Sequence, residues 1–155
     1  MSQAILPKSG IPSKADDHRI WGRVKPGAAP YLIHTLLNSL DSFCLLIAKD
    51  SQQAYAIENG LKFFRGEQAK NEDILIFPDW ETLPYDTFSP HEDIISQRLD
   101  TLNRLPHAKK GILIIPLTTL LHRLPPTSFI QANSLSLKVG QNFNSAQYKT
   151  MLESV

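Results

Sequence analysis

Two glycines near the beginning of the chain have the spacing of a phosphate-binding loop. Gly22 and Gly27 flank residues 23–26, as do the two glycines of the pattern Gly-x-x-x-x-Gly-Lys-Ser/Thr. In that pattern, backbone amides and the lysine bind phosphate oxygens, and the hydroxyl holds magnesium. Ala28 and Ala29 stand where the lysine and the hydroxyl are required. We therefore predict a degenerate loop that binds no triphosphate, in a chain without catalytic residues.

Three carboxylates form a second candidate site. Asp79 and Glu81 follow an apolar run, and Asp86 lies in the same aromatic loop. An ATPase or phosphotransferase with an atypical magnesium site could use them. Because no base, nucleophile and orienting group can be assembled around them, we favour a structural or partner-docking loop and predict no metal site.

Charge along the chain leaves a nucleic-acid module as another alternative. Residues 51–100 are rich in aspartate and glutamate, whereas residues 101–150 contain cations and no carboxylate, so the net charge of +1 conceals an asymmetry. The cations that could contact phosphates are Arg104, Lys109, Lys110, Arg123 and Lys138. No stacking platform is interleaved with them, so this alternative ranks last.

Composition limits the class of protein. With 155 residues and 42% hydrophobic content, the chain is long enough for about one folded domain. Its apolar runs are far shorter than the ~20 residues of a membrane span, and its first residues lack a secretory signal, which predicts a cytoplasmic protein. The single cysteine, Cys44, excludes an internal disulfide and a multi-thiolate zinc site.

Hydrophobic periodicity predicts alternating helices and strands. In chain order these are a helix over 30–40, a strand over 43–48, a helix over 51–64, a strand over 74–77, a helix ending near 105, a strand over 111–115 and a short helix over 118–122. This alternation indicates an α/β fold with an open parallel sheet. The continuous apolar run 43–48 further predicts a strand buried on both faces.

The third of these helices has the clearest start signal. Ser89, Pro90 and Glu92 have the types and order of an N-cap, a first helical residue and a capping-box partner. The helix should end at Pro106. Its predicted buried residues are Ile94, Ile95, Leu99 and Leu102.

A different layer is predicted after Pro125 and Pro126. Residues 134–139 alternate polar and apolar side chains, which indicates a strand buried on one face. Residues 146–153 have the apolar spacing of a helix without a following partner. We expect the beginning of a small α+β domain here, and the N-terminal portion of a longer polypeptide overall.

The aromatic loop and the segments after it resemble one family. Residues 79–99 read Asp-Trp-Glu-Thr-Leu-Pro-Tyr-Asp-Thr-Phe-Ser-Pro-His-Glu-Asp-Ile-Ile-Ser-Gln-Arg-Leu, and residues 111–116 read Gly-Ile-Leu-Ile-Ile-Pro. Together they closely resemble the N-terminal region of bacterial transcription-repair coupling factors (Mfd). The resemblance extends from about Ile20 to the end of the chain.

The resemblance implies a domain organisation similar to that of the excision-repair protein UvrB. Residues 1–19 would be a mobile arm, and 20–126 the first segment of a UvrB-like α/β domain of RecA-like, P-loop NTPase type with a decayed nucleotide site. Residues 127–155 would begin a second, UvrA-recruiting domain, with the principal UvrA contacts after Val155. Segments after that second domain would complete the first, so that this chain alone has an exposed sheet edge.

The resemblance also implies a function in transcription-coupled nucleotide excision repair. The full-length family member displaces RNA polymerase stalled at DNA damage, with ATP and magnesium driving helicase-like translocase motors further along the chain. The present segment would use neither cofactor. Its implied partner is UvrA, and RNA polymerase and DNA would be reached through the full-length protein.

Overall fold

The described part of the chain forms two compact units. The computed structural model describes residues 16–66, 74–82 and 89–133, together with positions 12, 14, 87, 140 and 149. One unit comprises Met1–His122 and the other Arg123–Val155. Most of the predicted arm 1–19 lies outside the described residues. No helix in the described ranges is long and apolar enough to span a membrane.

A three-stranded parallel sheet lies at the centre of the first unit. Its strands are β1 (Phe43–Ala48), β2 (Ile74–Ile76) and β3 (Gly111–Pro116). Their order is β1-β3-β2, with Phe43 paired to Gly111 and Ile74 to Ile112. Every residue of β3 is buried, as expected of a central strand. The predicted α/β fold with an open parallel sheet is confirmed.

Helices α1 (Ala29–Ser39) and α2 (Ser51–Arg65) pack together and cover one face of the sheet. The Asp50 carboxylate caps α2 by accepting a hydrogen bond of 2.8 Å from the Gln53 amide. The core on this face consists of Leu37, Ala48, Ala54, Ile57, Leu61, Ile74, Ile76, Ile112 and Ile114. These apolar residues hold the helix pair on the sheet.

The other face carries a smaller core beneath α3 (Glu92–Arg104). Its buried members are Leu75, Phe77, Leu113 and Ile115, with Leu102 and Leu105 packed against them. A 3-10 helix, Leu105–His107, follows α3 directly and contains Pro106. A second 3-10 helix, Leu117–Leu121, follows β3 where the short helix was predicted.

The prediction that β1 is buried on both faces is wrong. Leu45 is 56% exposed and Ile47 is 53% exposed, although Ala48 is buried. The position of α3 explains the difference, because α3 packs on β2 and the buried core beneath it, Leu75, Phe77, Leu113 and Ile115, contains no residue of β1. The apolar run 43–48 therefore predicted the strand correctly, but it wrongly predicted that both faces of the strand are buried.

The predicted start of α3 also needs correction. The helix begins at Glu92, and His91 rather than Ser89 is its N-cap. The His91 Nδ1 atom accepts a hydrogen bond of 3.3 Å from the Asp93 amide, which is the contact that a capping serine would make. Pro90 therefore precedes the cap and is not the first helical residue.

The second unit contains a helix that was not predicted. This helix, α4 (Thr127–Asn133), begins directly after Pro126, whose carbonyl accepts hydrogen bonds from the amides of Phe129 and Ile130. The predicted strand 134–139 lies outside the described residues, as does the predicted helix 146–153 apart from Lys149.

A close approach between α1 and α2 generates a stability prediction. A Cβ atom added at Gly60 would lie 2.5 Å from the Cβ and Cγ atoms of Pro30. Gly60→Ala should lower the free energy of unfolding by about 1 kcal/mol, because overpacking costs about 1–3 kcal/mol and exceeds the helix-propensity gain of about 1 kcal/mol. Urea unfolding measures the change.

Asn59→Ala is the matched control for Gly60→Ala, since Asn59 is an exposed neighbour on the same helix. It should leave stability unchanged or slightly raised. If Gly60→Ala were as stable as this control, close packing of the two helices would be refuted.

Candidate functional site at the carboxyl edge of the sheet

The candidate site lies where β2 and β3 end. Phe77 to Glu81 continue from β2, and the 3-10 helix Leu117–Leu121 continues from β3. The two strands are parallel, so both continuations leave the same edge of the sheet. Open parallel sheets bind ligands at this edge.

The guanidinium of Arg98, on α3, is stacked between two aromatic rings. Its central carbon lies 4.0 Å from the ring centroid of Phe77 and 3.9 Å from that of Trp80. Its Nη1 donates a hydrogen bond to the carbonyl of Pro78 at 2.5 Å. Only 3% of Arg98 is exposed. This one side chain therefore contacts three of the first four residues after β2.

Two opposing effects act on the charge of Arg98. Burial lowers the pKa of the Arg98 guanidinium, and the nearby carboxylate of Asp79 raises it. An arginine keeps its proton despite such burial, because the ordinary pKa of a guanidinium lies far above neutral pH. Arg98 is thus a buried cation that the two rings, the Pro78 carbonyl and Asp79 compensate.

The carboxylate of Asp79 joins the segments that follow β2 and β3. It accepts hydrogen bonds from the Trp80 amide at 2.7 Å and from the Thr118 hydroxyl. The Nε2 atom of His122 lies 3.8 Å from the Asp79 carboxylate. Side chains of the chain itself therefore engage Asp79 at the edge where a ligand would bind.

The three carboxylates of the alternative magnesium hypothesis, Asp79, Glu81 and Asp86, are not shown together by the structure. Glu81 is exposed with a left-handed backbone, φ 57°, and Asp86 lies outside the described residues. The pKa of the Tyr55 hydroxyl is raised by burial first and then by the charges of Glu81 and Glu58. Within the described ranges, no group of three or more histidine, cysteine or carboxylate side chains could hold a metal ion.

The predicted degenerate phosphate loop enters α1 through a 3-10 helix, Pro26–Ala28. The amides of Ala28 and Ala29 both donate to the Lys25 carbonyl, at 2.9 and 3.2 Å. A Cβ atom added at Gly22 or Gly27 would meet nothing within 4 Å. Two backbone amides of this loop therefore donate hydrogen bonds to a backbone carbonyl of the chain itself.

Two of the cations considered for nucleic-acid binding pair with carboxylates. Arg104 pairs with Asp100 at 3.2 Å, and Lys110 pairs with Asp41 at 3.1 Å. Lys109 is exposed, Arg123 belongs to the other compact unit, and Lys138 lies outside the described residues.

Sequence reasoning missed the central role of Arg98. It predicted that Leu99 is buried on α3, but Leu99 is 46% exposed, and the buried residues of the helix are Arg98 and Thr101. The Thr101 hydroxyl donates to the Ile76 carbonyl at 2.7 Å. Both polar residues lie three apart and bond to carbonyls at or just after the end of β2. A polar pair at helical spacing beside an aromatic loop is the signal that could have identified them.

Comparison with known proteins identifies relatives of one kind. The chain is similar to the transcription-repair-coupling factors of Haemophilus influenzae and Escherichia coli, each 38% identical over 144 residues and matching 93% of the chain. The Staphylococcus aureus transcription-repair-coupling factor is 32% identical over 110 residues, or 70% of the chain. The chain spans 12% of the length of the first two relatives and 9% of the third. No family model matches the chain.

The stacked arginine generates a prediction about the site. Arg98→Lys should lower the free energy of unfolding by about 2 kcal/mol, because an ammonium cannot stack flat between two rings and a desolvated cation–π contact is worth about that much. Arg104→Lys, in the exposed pair with Asp100 on the same helix, should change it by less than about 1 kcal/mol. Urea unfolding followed by circular dichroism measures both, and equal effects would contradict the role assigned to Arg98.

Proposed function

Because the chain belongs to the transcription-repair coupling factor family and matches its N-terminal region, we propose that it is a non-catalytic protein-interaction module. Its proposed role is to help recruit UvrA to RNA polymerase stalled at damaged DNA. It acts within a longer protein that uses ATP and magnesium to translocate on DNA and displace the polymerase. This segment itself uses neither cofactor.

One observation carries the non-catalytic half of the proposal. At the carboxyl edge of the sheet, Asp79 is engaged by Thr118 and by the Trp80 amide. An acid-base or metal-binding carboxylate must be available to substrate or metal, whereas this one joins two segments of its own chain. The edge therefore holds Asp79 and Trp80, the described beginning of the segment after β2, in place.

The phosphate loop supports the same proposal. A triphosphate site needs unoccupied amides that point at the phosphates and a lysine that neutralises them. Here the amides of Ala28 and Ala29 bond to Lys25, and both positions lack the required side chains. We infer that the loop of Gly22, Gly27, Ala28 and Ala29 is a remnant that binds no nucleotide.

The open side of β1 supports the proposed domain organisation. Leu45 and Ile47 are exposed on β1, which pairs with β3 on one side and with no other strand among the described residues. Parallel sheets are normally covered on both faces. We propose that 20–126 is the first segment of a domain completed by later parts of the longer protein, and that 127–155 begins the UvrA-recruiting domain.

Nucleotide titration tests the non-catalytic half. A fluorescent ATP analogue with magnesium should show no saturable binding to the chain up to millimolar concentration, since the loop lacks the lysine and the hydroxyl. Equilibrium titration followed by fluorescence anisotropy provides the measurement. Saturable binding in the micromolar range would overturn this half of the proposal.

The test of UvrA recruitment requires a chain longer than the present one. A chain that continues past Val155 through the whole second domain should retain UvrA in a pull-down, and the 155-residue chain should retain much less. The reason is that the main contacts are expected after Val155. Loss of UvrA from the longer, folded chain would refute recruitment while leaving the nucleotide result unaffected.

A further inference from the structure

The two outer edges of the sheet differ in how their backbone groups are bonded. At β2, the Phe77 amide donates to the Ile114 carbonyl of β3 at 2.9 Å. The Ile76 carbonyl belongs to the same peptide group and therefore points the other way, to the outer edge. The Thr101 hydroxyl of α3 donates to that carbonyl at 2.7 Å. A side chain of α3 thus bonds to the outer edge of β2 in place of another strand.

The same hydrogen bond determines which residues of β1 direct their backbone groups outward. Successive residues of a strand direct their N–H and C=O groups to alternate sides. Since Ile114 bonds to β2, the even-numbered residues of β3 face β2 and its odd-numbered residues face β1. The register of β1 with β3 then turns the even-numbered residues of β1 towards β3. The residues of β1 whose backbone groups point to the outer edge are Phe43, Leu45 and Ile47.

The outer edge of β1 lacks such protection within the part of the chain that the structure describes. There, no side chain forms a hydrogen bond with the outward backbone groups of Phe43, Leu45 or Ile47. The strand reads Phe-Cys-Leu-Leu-Ile-Ala, six residues without a charge or a proline. Edge strands that avoid pairing with other chains are usually short, charged or interrupted by proline. β1 therefore has the properties of a strand that pairs with another strand.

We propose that β1 pairs with β1 of a second copy of this chain, antiparallel and around a two-fold axis that passes through Leu45. In this register Leu45 lies opposite Leu45 of the second copy, and Phe43 lies opposite Ile47 of the second copy. The outward residues are spaced symmetrically about Leu45, so every outward N–H and C=O group finds a partner. The interface is self-complementary, as a two-fold dimer requires.

The side chains of β1 support this register. Residues that lie opposite each other in an antiparallel pair place their side chains on the same face of the sheet. Leu45 and Ile47 are exposed on the face that carries α3, and Phe43 packs at the margin of the core on that face. Pairing of two copies brings these apolar side chains together across the axis, where such cross-strand pairs are stabilising.

Charges beyond the two ends of β1 are complementary in the same register. Asp41 and Lys49 are equally distant in sequence from Leu45, so the axis brings Lys49 of each copy towards Asp41 of the other. Both side chains are mostly exposed. Within its own chain Asp41 pairs with Lys110 at 3.1 Å, and Lys49 lies 3.9 Å from Asp50. A carboxylate can accept hydrogen bonds from more than one cation, so Asp41 can bind Lys49 as well.

The dimer and the proposed completion of the domain use the same edge of the sheet. A later segment of the longer protein that covered β1 would exclude a second copy. The dimer is therefore proposed for the 155-residue chain. Its absence would leave the nucleotide and UvrA results unaffected.

The test is analytical ultracentrifugation of the 155-residue chain between about 1 and 100 μM, where a reversible monomer–dimer equilibrium is expected. Leu45→Lys should weaken the dimer about tenfold, because two lysines would face each other across the axis. Leu45→Glu should weaken it similarly. An equimolar mixture of the two variants should recover the dimer, since unlike copies place opposite charges together.

Phe63→Lys is the matched control, because it places a lysine at another exposed apolar position, on α2 and the opposite face of the sheet. It should leave the dimer unchanged. A chain that stays monomeric throughout, equal effects of Leu45→Lys and Phe63→Lys, or no recovery in the mixture would overturn the proposal. Assemblies larger than a dimer that persist in Leu45→Lys would also overturn it, in favour of non-specific association.

Amide hydrogen exchange tests the interface without a substitution. The amides of Phe43, Leu45 and Ile47 should exchange more slowly at the higher chain concentration, because pairing removes them from water. The Gln53 amide, which donates to Asp50 within its own chain, should exchange equally at both concentrations. Exchange of the three β1 amides that does not depend on concentration would contradict pairing through β1.

Discussion

The organisation of the carboxyl edge depends on one buried cation. Arg98 contacts Phe77, Pro78 and Trp80. If the segment after β2 moved away from α3, the Arg98 guanidinium would lose both aromatic rings and the Pro78 carbonyl. A buried charge with one partner removed is strongly destabilising. Residues 77–80, where the aromatic loop begins, are therefore held in place by Arg98 on the following helix, α3.

The same arrangement affects what the edge can do. Asp79 follows β2 near the stacked Arg98. Its carboxylate accepts a hydrogen bond from Thr118, which lies in the segment after β3. Parallel sheets usually leave this position open for ligands, whereas here the chain fills it with its own hydrogen bonds. A scaffold in which the segments following β2 and β3 are joined in this way suits the protein-interaction function that we propose.

The two faces of the sheet differ in how completely they are covered. Two helices lie on one face, and the core under α3 on the other face leaves Leu45 and Ile47 of β1 exposed. An exposed edge strand with an apolar face is unfavourable for an isolated chain. This asymmetry is consistent with a chain that matches 12% of the length of its relatives.

Local patterns in the sequence were enough to determine the order of helices and strands. The spacing of Leu37 and its neighbours in α1 and the apolar runs of β1 and β3 specify secondary structure, because periodicity acts over a few adjacent residues. The resemblance of residues 79–99 and 111–116 to one family was also present in the sequence alone.

Tertiary structure decided which side chains those elements bury. Whether Leu45 is covered depends on which strands α3 packs over, and the buried core beneath α3 contains no residue of β1. Whether Arg98 rather than Leu99 faces inward depends on two rings contributed by the segment after β2. The contact of Phe64 with Tyr31 likewise arises only when α1 and α2 pack. Such contacts join residues that are distant in the chain, so local spacing can indicate a candidate residue but does not determine its partner.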